Sequence, residues 1–320
     1  MPITLPPEGR DLRLDFLRGL ANWAIFLDHI PDNVVNWITT RNYGFSDAAE
    51  LFIFISDYTA SFVYGKMMLE RGMIVASTRV LRRAWQIYVA YVFLFVIYIT
   101  AISYLSEKYD DPHYLEMFNI MGFINHPAET VYEGLILKFR PVNMDVLPLY
   151  IVLMVGFPLA LWAVLRKPNV TLFASAALYF AARHFGWNFP AYPSGVWYFN
   201  PFAWQFLFVF GGWFALGGAP QSQRLFASRS VVALGITYLL FSLVMTVAGQ
   251  FPAAAALLPS WLDNAVNPVD KTNLSPLRVL HFMVLVMLVL RVLPRDWPVS
   301  SRPSPARRSY ADSSRSKCSA

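Results

Sequence analysis

The chain has 320 residues, 56% of them hydrophobic and 16% aromatic, with a mean hydropathy of +0.43. Charged residues make up only 14%, against about 25% in soluble domains, so an ordinary soluble domain is excluded. The pattern fits an all-α, polytopic transmembrane helical bundle. The net charge of +6 falls in short segments between apolar runs, where membrane topology explains it better than nucleic acid does.

Eight spans are expected, at about 14–31, 46–66, 80–105, 146–165, 170–184, 199–217, 230–250 and 276–293. Residues 1–13 read as a cytoplasmic N-terminus, followed by a membrane domain over 14–294. The start, MPITLPPEGRDLR, has no basic stretch leading into a clean apolar run, so the first span is expected to act as an uncleaved signal. With the N-terminus inside, 19 of the 26 Lys and Arg fall on the cytoplasmic side, counting Arg18 and the tail. That asymmetry orients the bundle with both ends inside. The outer connections are then the long ones, 106–145, 185–198 and 251–275. The second carries Trp187, Tyr192, Trp197 and Tyr198, which suit a membrane interface and also suit stacking on sugar rings. Residues 295–320 turn rich in Ser, Arg and Pro, which predicts a disordered tail. Its composition resembles an out-of-frame reading that truncates the domain. Cys318 is the only cysteine, so no disulfide forms within the chain.

Polar residues inside the spans are the candidate functional groups, because charge near mid-bilayer costs about 2.5–3.5 kcal/mol on insertion scales. In the first span Asp15, Arg18, Asn22 and His29 fall within roughly 60° of one another on a helix. Arg18 and His29 share that face and lie about 16 Å apart along the axis. Guanidinium suits an anionic group, and imidazole suits taking a proton from a hydroxyl. The bland alternative is that Arg18 snorkels and pairs with Asp15 while His29 sits in water. Asp28 points off this face and is expected to cap or orient. In the second span Asp47, Glu50, Asp57, Ser61 and Tyr64 lie within about 100°. Asp57 is deep in FIFISDYTASF and needs a partner, for which Arg18 or the basic loop are candidates. Asp145 and Tyr150 border the fourth span. Arg278 and His281, three apart, are neighbours on the last, with His281 expected at a depth similar to His29. No metal is expected, because no metal-binding spacing of His or Cys occurs. GGWFALGG at 211–218 reads as close helix packing rather than a phosphate loop.

RDLRLDFLRG followed by LDHIP resembles the opening of the OpgC family, relatives of the acyltransferase-3 membrane acyltransferases. The match includes an Arg, ten intervening residues and then a His, here Arg18 and His29. The second span is similar at Asp47, Phe52, Phe54 and Ser56. GFSDAAELFIFIS, MDVLPLYIVLM, WYFNPFAWQFLFVFGGW and KTNLSPLRVLHF extend the likeness over residues 10–294. The resemblance implies an inner-membrane O-acyltransferase of about ten spans. Its donor is cytoplasmic acyl-CoA (succinyl-CoA in the glucan-succinylating members), its acceptor a periplasmic glucan or other polysaccharide hydroxyl, and it holds no bound cofactor. His29 then maps onto the catalytic base and Arg18 onto the donor-facing residue. Asp15, Asn22, Asp47, Glu50, Ser56, Arg278 and His281 are supporting or binding groups. The chain departs from the family at Asp57, where a Gly is usual and a carboxylate is expected to hinder packing or repel the donor, and in the tail, where two spans should follow. The alternatives are a transporter or flippase without chemistry, and an inactive truncated paralogue.

Overall fold

The computed structural model describes residues 12–30 and 32–292. Residues 1–11 and 293–320, which hold most of the expected N-terminal segment and all of the expected tail, lie outside the described residues. Among the described residues there is no strand; one isolated antiparallel bridge joins Pro190 and Val196. The helices in order are α1 (Leu12–Asp28), α2 (Ala48–Arg71), α3 (Met73–Tyr109), α4 (His113–Met117), α5 (Met121–Asn125), α6 (Pro127–Leu135) and α7 (Val146–Arg166). Then come α8 (Pro168–Phe185), α9 (Pro201–Trp213), α10 (Ala219–Ala227), α11 (Arg229–Gln250), α12 (Pro252–Ala255), α13 (Ser260–Val266) and α14 (Pro276–Val292). Two 3-10 turns, Val34–Ile38 and Thr40–Asn42, follow α1, and a π segment, Phe214–Gly218, joins α9 to α10.

A helix stands at each of the eight expected segments. Four stretches are long and apolar enough to cross a membrane by length and composition: Met73–Tyr109, Val146–Arg166, Pro201–Ser222 and Arg229–Gln250. The rest carry charges or fewer residues. The boundaries follow local chemistry. Asp47 caps α2 by accepting from Ala49 N at 2.9 Å, and Glu50 Oε2 reaches back to Asp47 N at 2.9 Å, completing a capping box. Gly72, at φ +86°, supplies the turn between α2 and α3 that other residues resist. No further breaker follows it, so α3 starts seven residues before the expected span and runs for 37 residues.

The α2 helix is the hub, packed against α1, α3, α7 and α9. Its closest neighbour is α9, and the paired glycines explain why. A Cβ on Gly211 would stand 2.5 Å from the Phe54 carbonyl oxygen, and one on Gly212 would stand 2.5 Å from Asp57 Oδ2 and 2.6 Å from Ser61 Oγ. The expected packing role of GGWFALGG therefore holds at its first two glycines. Ile53, Phe157, Trp204 and Phe208 fill the main core around this contact. A second core lies under residues 110–145, where Leu115, Ile120, Phe139 and Met144 pack on Tyr91, Phe95 and Ile99 of α3. That connection, expected as a long loop, is a folded cap containing α4, α5 and α6.

Candidate functional site

The polar face of α1 is open. Asn22 and His29 are exposed, and Asp15 and Arg18 are half-buried. Arg18 Nη2 donates to Thr59 Oγ1 on α2 at 3.1 Å, while its Nη1 stands 3.9 Å from Asp15 Oδ1. The expected Asp15 pairing is present but long. His29 is anchored at one nitrogen only: Nδ1 lies 2.6 Å from the Ile25 carbonyl oxygen. A carbonyl can only accept, so Nδ1 carries a proton, and in the neutral ring Nε2 is then the acceptor. The chain beyond is tied down by side chains. Asn33 Nδ2 donates to Leu27 O at 3.1 Å, Thr39 Oγ1 to Asp28 Oδ1 at 2.6 Å, and Asn42 Nδ2 to Asn36 O at 2.8 Å. Asp28 thus orients the rim beside His29.

From Arg18 a line of polar groups runs along α2 and α7. Thr59, bound to Arg18, also donates to the Ile55 carbonyl at 2.8 Å. Ser56 shares a hydrogen bond with the Tyr150 hydroxyl, which also lies within the field of Asp57, Tyr64 and Arg83. At the N-terminus of α7, Asp145 Oδ1 takes a 3.0 Å ion pair from Arg140 Nε. Burial pushes the Asp145 carboxyl above the ordinary carboxylate range, more than Arg140 pulls it down, and His29 also lies within reach of its charge. Burial lowers Arg140 in turn, against the pull of Asp145. Thr59, Arg83 and Arg140 are the members that sequence reasoning missed. Thr59 is one polar residue in an apolar run, and the two arginines lie in or beside segments read only as charged loops.

Asp57 does not meet Arg18 or the basic loop. Its partners are Ser61, whose hydroxyl donates at 3.2 Å, and the Gly212 backbone. The carboxylate expected to hinder packing is accommodated because the small residue sits on the facing helix.

The remaining site residues form a separate, buried cluster at the N-termini of α2 and α14. Arg278 Nε donates to Glu50 Oε1 at 2.6 Å and Nη2 to Asp47 Oδ2 at 3.0 Å. Lys271 Nζ donates to the same Asp47 oxygen at 2.6 Å. His281 Nδ1 accepts from Ser46 N at 3.3 Å and lies 2.7 Å from Ser46 Oγ, with its ring against Gly44 and Phe45. His281 is 4% exposed, so it does not resemble His29 in setting. The 271–275 turn is stitched in as well. Trp204 Nε1 donates to Lys271 O at 3.1 Å, Tyr179 OH to Leu274 O at 2.7 Å, and Asn200 Nδ2 to Asn273 Oδ1 at 2.9 Å. Of the nine expected site residues the structure therefore joins Arg18 with Asp15, and Asp47 with Glu50 and Arg278. Ser56 belongs to the polar line, and His281 borders the buried cluster.

The family model described as OpgC protein matches residues 10–307, nearly the whole chain. No curated protein and no solved structure gives a significant match.

Proposed function

We propose, from the premise that this chain belongs to the OpgC family, that it is a membrane O-acyltransferase that modifies a glucan. Membership supports a glucan-modifying acyltransferase, and the apolar helices support a membrane setting. The finer reading is ours. All eight expected segments cross the inner membrane with the N-terminus in the cytoplasm. The donor is a cytoplasmic acyl-CoA, succinyl-CoA by family resemblance, and the acceptor is a periplasmic glucan hydroxyl.

One observation carries the reading: the His29 ring is fixed through Nδ1 to Ile25, leaving Nε2 unclaimed at the exposed end of the face that also carries Arg18. In this reading Arg18 holds an anionic part of the donor, with Asp15 and Thr59 fixing its fork. His29 Nε2 accepts the proton of the attacking hydroxyl. The hydroxyl oxygen bonds to the thioester carbonyl carbon, the carbon–sulfur bond breaks, and the thiolate leaves with the proton returned by the imidazolium. In this reading Ser56 and Tyr150 lie between the two ends, and Asn22 borders the path.

His29→Ala is expected to lower acyl transfer by about 10²–10⁴-fold, the usual worth of a positioned general base, while the chain still inserts. The assay is acyl transfer from succinyl-CoA to glucan in reconstituted vesicles. Full activity in the variant removes His29 as the base. Glucan movement without thioester cleavage by the unaltered chain would replace the enzyme reading with a transporter.

A further inference from the structure

Among the described residues the Trp197 indole is one of four buried side-chain donors without a hydrogen-bond partner, the others being the hydroxyls of Ser77, Tyr98 and Ser103. Trp197 is 4% exposed, and its indole Nε1 makes no hydrogen bond. The segment that carries the ring is pinned. Trp197 N donates to Phe189 O at 2.9 Å, Asn188 Nδ2 donates to Trp197 O at 2.8 Å, and the Phe189 ring abuts the indole at 5.3 Å. A buried donor left unpaired is costly, so a fixed one calls for an explanation.

Its surroundings supply one. The Arg140 guanidinium lies over the Trp197 ring at 4.5 Å, a contact that holds the two planes together. Arg140 is itself held, with Nε on Asp145 Oδ1 at 3.0 Å and Nη1 on Leu137 O at 3.0 Å. The positive and negative charges close on each other, so the group suits a neutral polar ligand rather than an ion. Asp145 keeps 24% of its side chain exposed and has a second oxygen to offer. An unpaired donor beside a carboxylate that can still accept asks for hydroxyls, which both give and take. Half-exposed Trp187 and Tyr198 on the 185–198 segment offer faces for a sugar ring.

We propose that Trp197, Arg140 and Asp145 form the seat of the acceptor sugar. Trp197 Nε1 donates to a sugar oxygen, Asp145 accepts from a hydroxyl, and Arg140 locks both in place. Arg140 is thus a positioning residue, and the seat rests on the acyltransferase reading for its choice of sugar.

The test measures binding without chemistry. Linear glucose hexamers of α and β linkage are titrated calorimetrically into the purified full chain in lipid nanodiscs. Trp197→Phe keeps an aromatic ring beside Arg140 and removes the N–H together with part of the indole. Its affinity for the bound hexamer is expected to fall about 3–10-fold, the worth of one neutral hydrogen bond. Equal affinity overturns the seat and assigns the N–H to a water. Should Trp197→Phe lose its helical circular dichroism, the isosteric Asp145→Asn repeats the test, and unchanged affinity there overturns the proposal equally. Acyl transfer is followed in the same preparation. A chain that transfers acyl groups but binds neither hexamer loses the seat and keeps the acyltransferase. A chain whose hexamer binding is weakened by Trp197→Phe, yet which transfers nothing, keeps the seat and loses the acyltransferase.

Discussion

Two sets of charged side chains approach each other in sequence, one on α1 and one at the start of α2, and they are used in opposite ways. At the α2 start, Asp47 and Glu50 are closed off by Lys271 and Arg278, with both carboxylates under a tenth exposed. On α1, Arg18 keeps 39% of its side chain exposed and its carboxylate partner is 3.9 Å away. Closed pairs hold helices together. Open ones keep their hydrogen-bonding capacity for something else. The difference lies in partners, since both sets began as charges within apolar sequence.

The comparison breaks most visibly at its two arginines. Arg278→Ala leaves two buried carboxylates short of a cation, and removing one member of a buried pair costs about 3–5 kcal/mol. The variant is expected to unfold in detergent at a much lower temperature, or to fail to accumulate in the membrane. Arg18→Ala removes an exposed contact, worth about 0–1 kcal/mol, so its melting temperature should stay near that of the parent while donor use falls. Equal melting temperatures for the two variants would erase the distinction between holding and working charges.

Gly212 tests which class Asp57 belongs to. If Asp57 and Ser61 are packed against α9 as a holding contact, Gly212→Val inserts a side chain into occupied space. Overpacking of this kind costs about 1–3 kcal/mol. Gly156, with nothing within 4 Å of an added Cβ, is the control. Gly156→Ala should be neutral or slightly stabilising, because Ala is about 1 kcal/mol better than Gly inside a helix. Thermal unfolding of the two variants side by side measures the contrast, and a tolerated valine at 212 would mean that α2 and α9 are not packed as described.

The helices were legible in the sequence because apolar runs and their punctuation are local. The expected 146–165, 230–250 and 276–293 fall within a residue of α7, α11 and α14. Asp47 caps α2 and Asn200 caps α9, with Pro201 in its first turn. Partnerships were not legible. Arg278 meets Glu50 across 228 positions and Lys271 meets Asp47 across 224, and no periodicity reports such a meeting. Arg278 and His281 are one helical turn apart, yet one joins the ion cluster and the other a serine hydroxyl. The Asp57 partner was misjudged for the same reason. A carboxylate in an apolar run announces a need, and the answer here was a hydroxyl one turn away and a glycine on another helix.

Arg140 and Asp145 sit between the two classes, paired like the buried cluster yet partly open like the α1 face, and acid separates them. Burial holds the Asp145 carboxyl above the ordinary carboxylate range even with Arg140 beside it. It therefore takes up its proton at a higher pH than an unperturbed aspartate, and as pH falls the pair opens before ordinary carboxylates are neutralised. Because the folded value is raised, folding favours the protonated form. The stability tied to this group is present below the unfolded aspartate range and is lost as pH rises through the raised folded value. Acidification should thus loosen the Arg140 pair without unfolding the cap. Trp197, lying over Arg140, reports it: indole fluorescence is expected to change on mild acidification while helical circular dichroism stays constant. In Asp145→Asn that step should vanish, because no proton is left to bind there. If the variant shows the same step, some other group titrates beside Trp197, and the Arg140 pair is as closed as the one between Arg278 and Glu50.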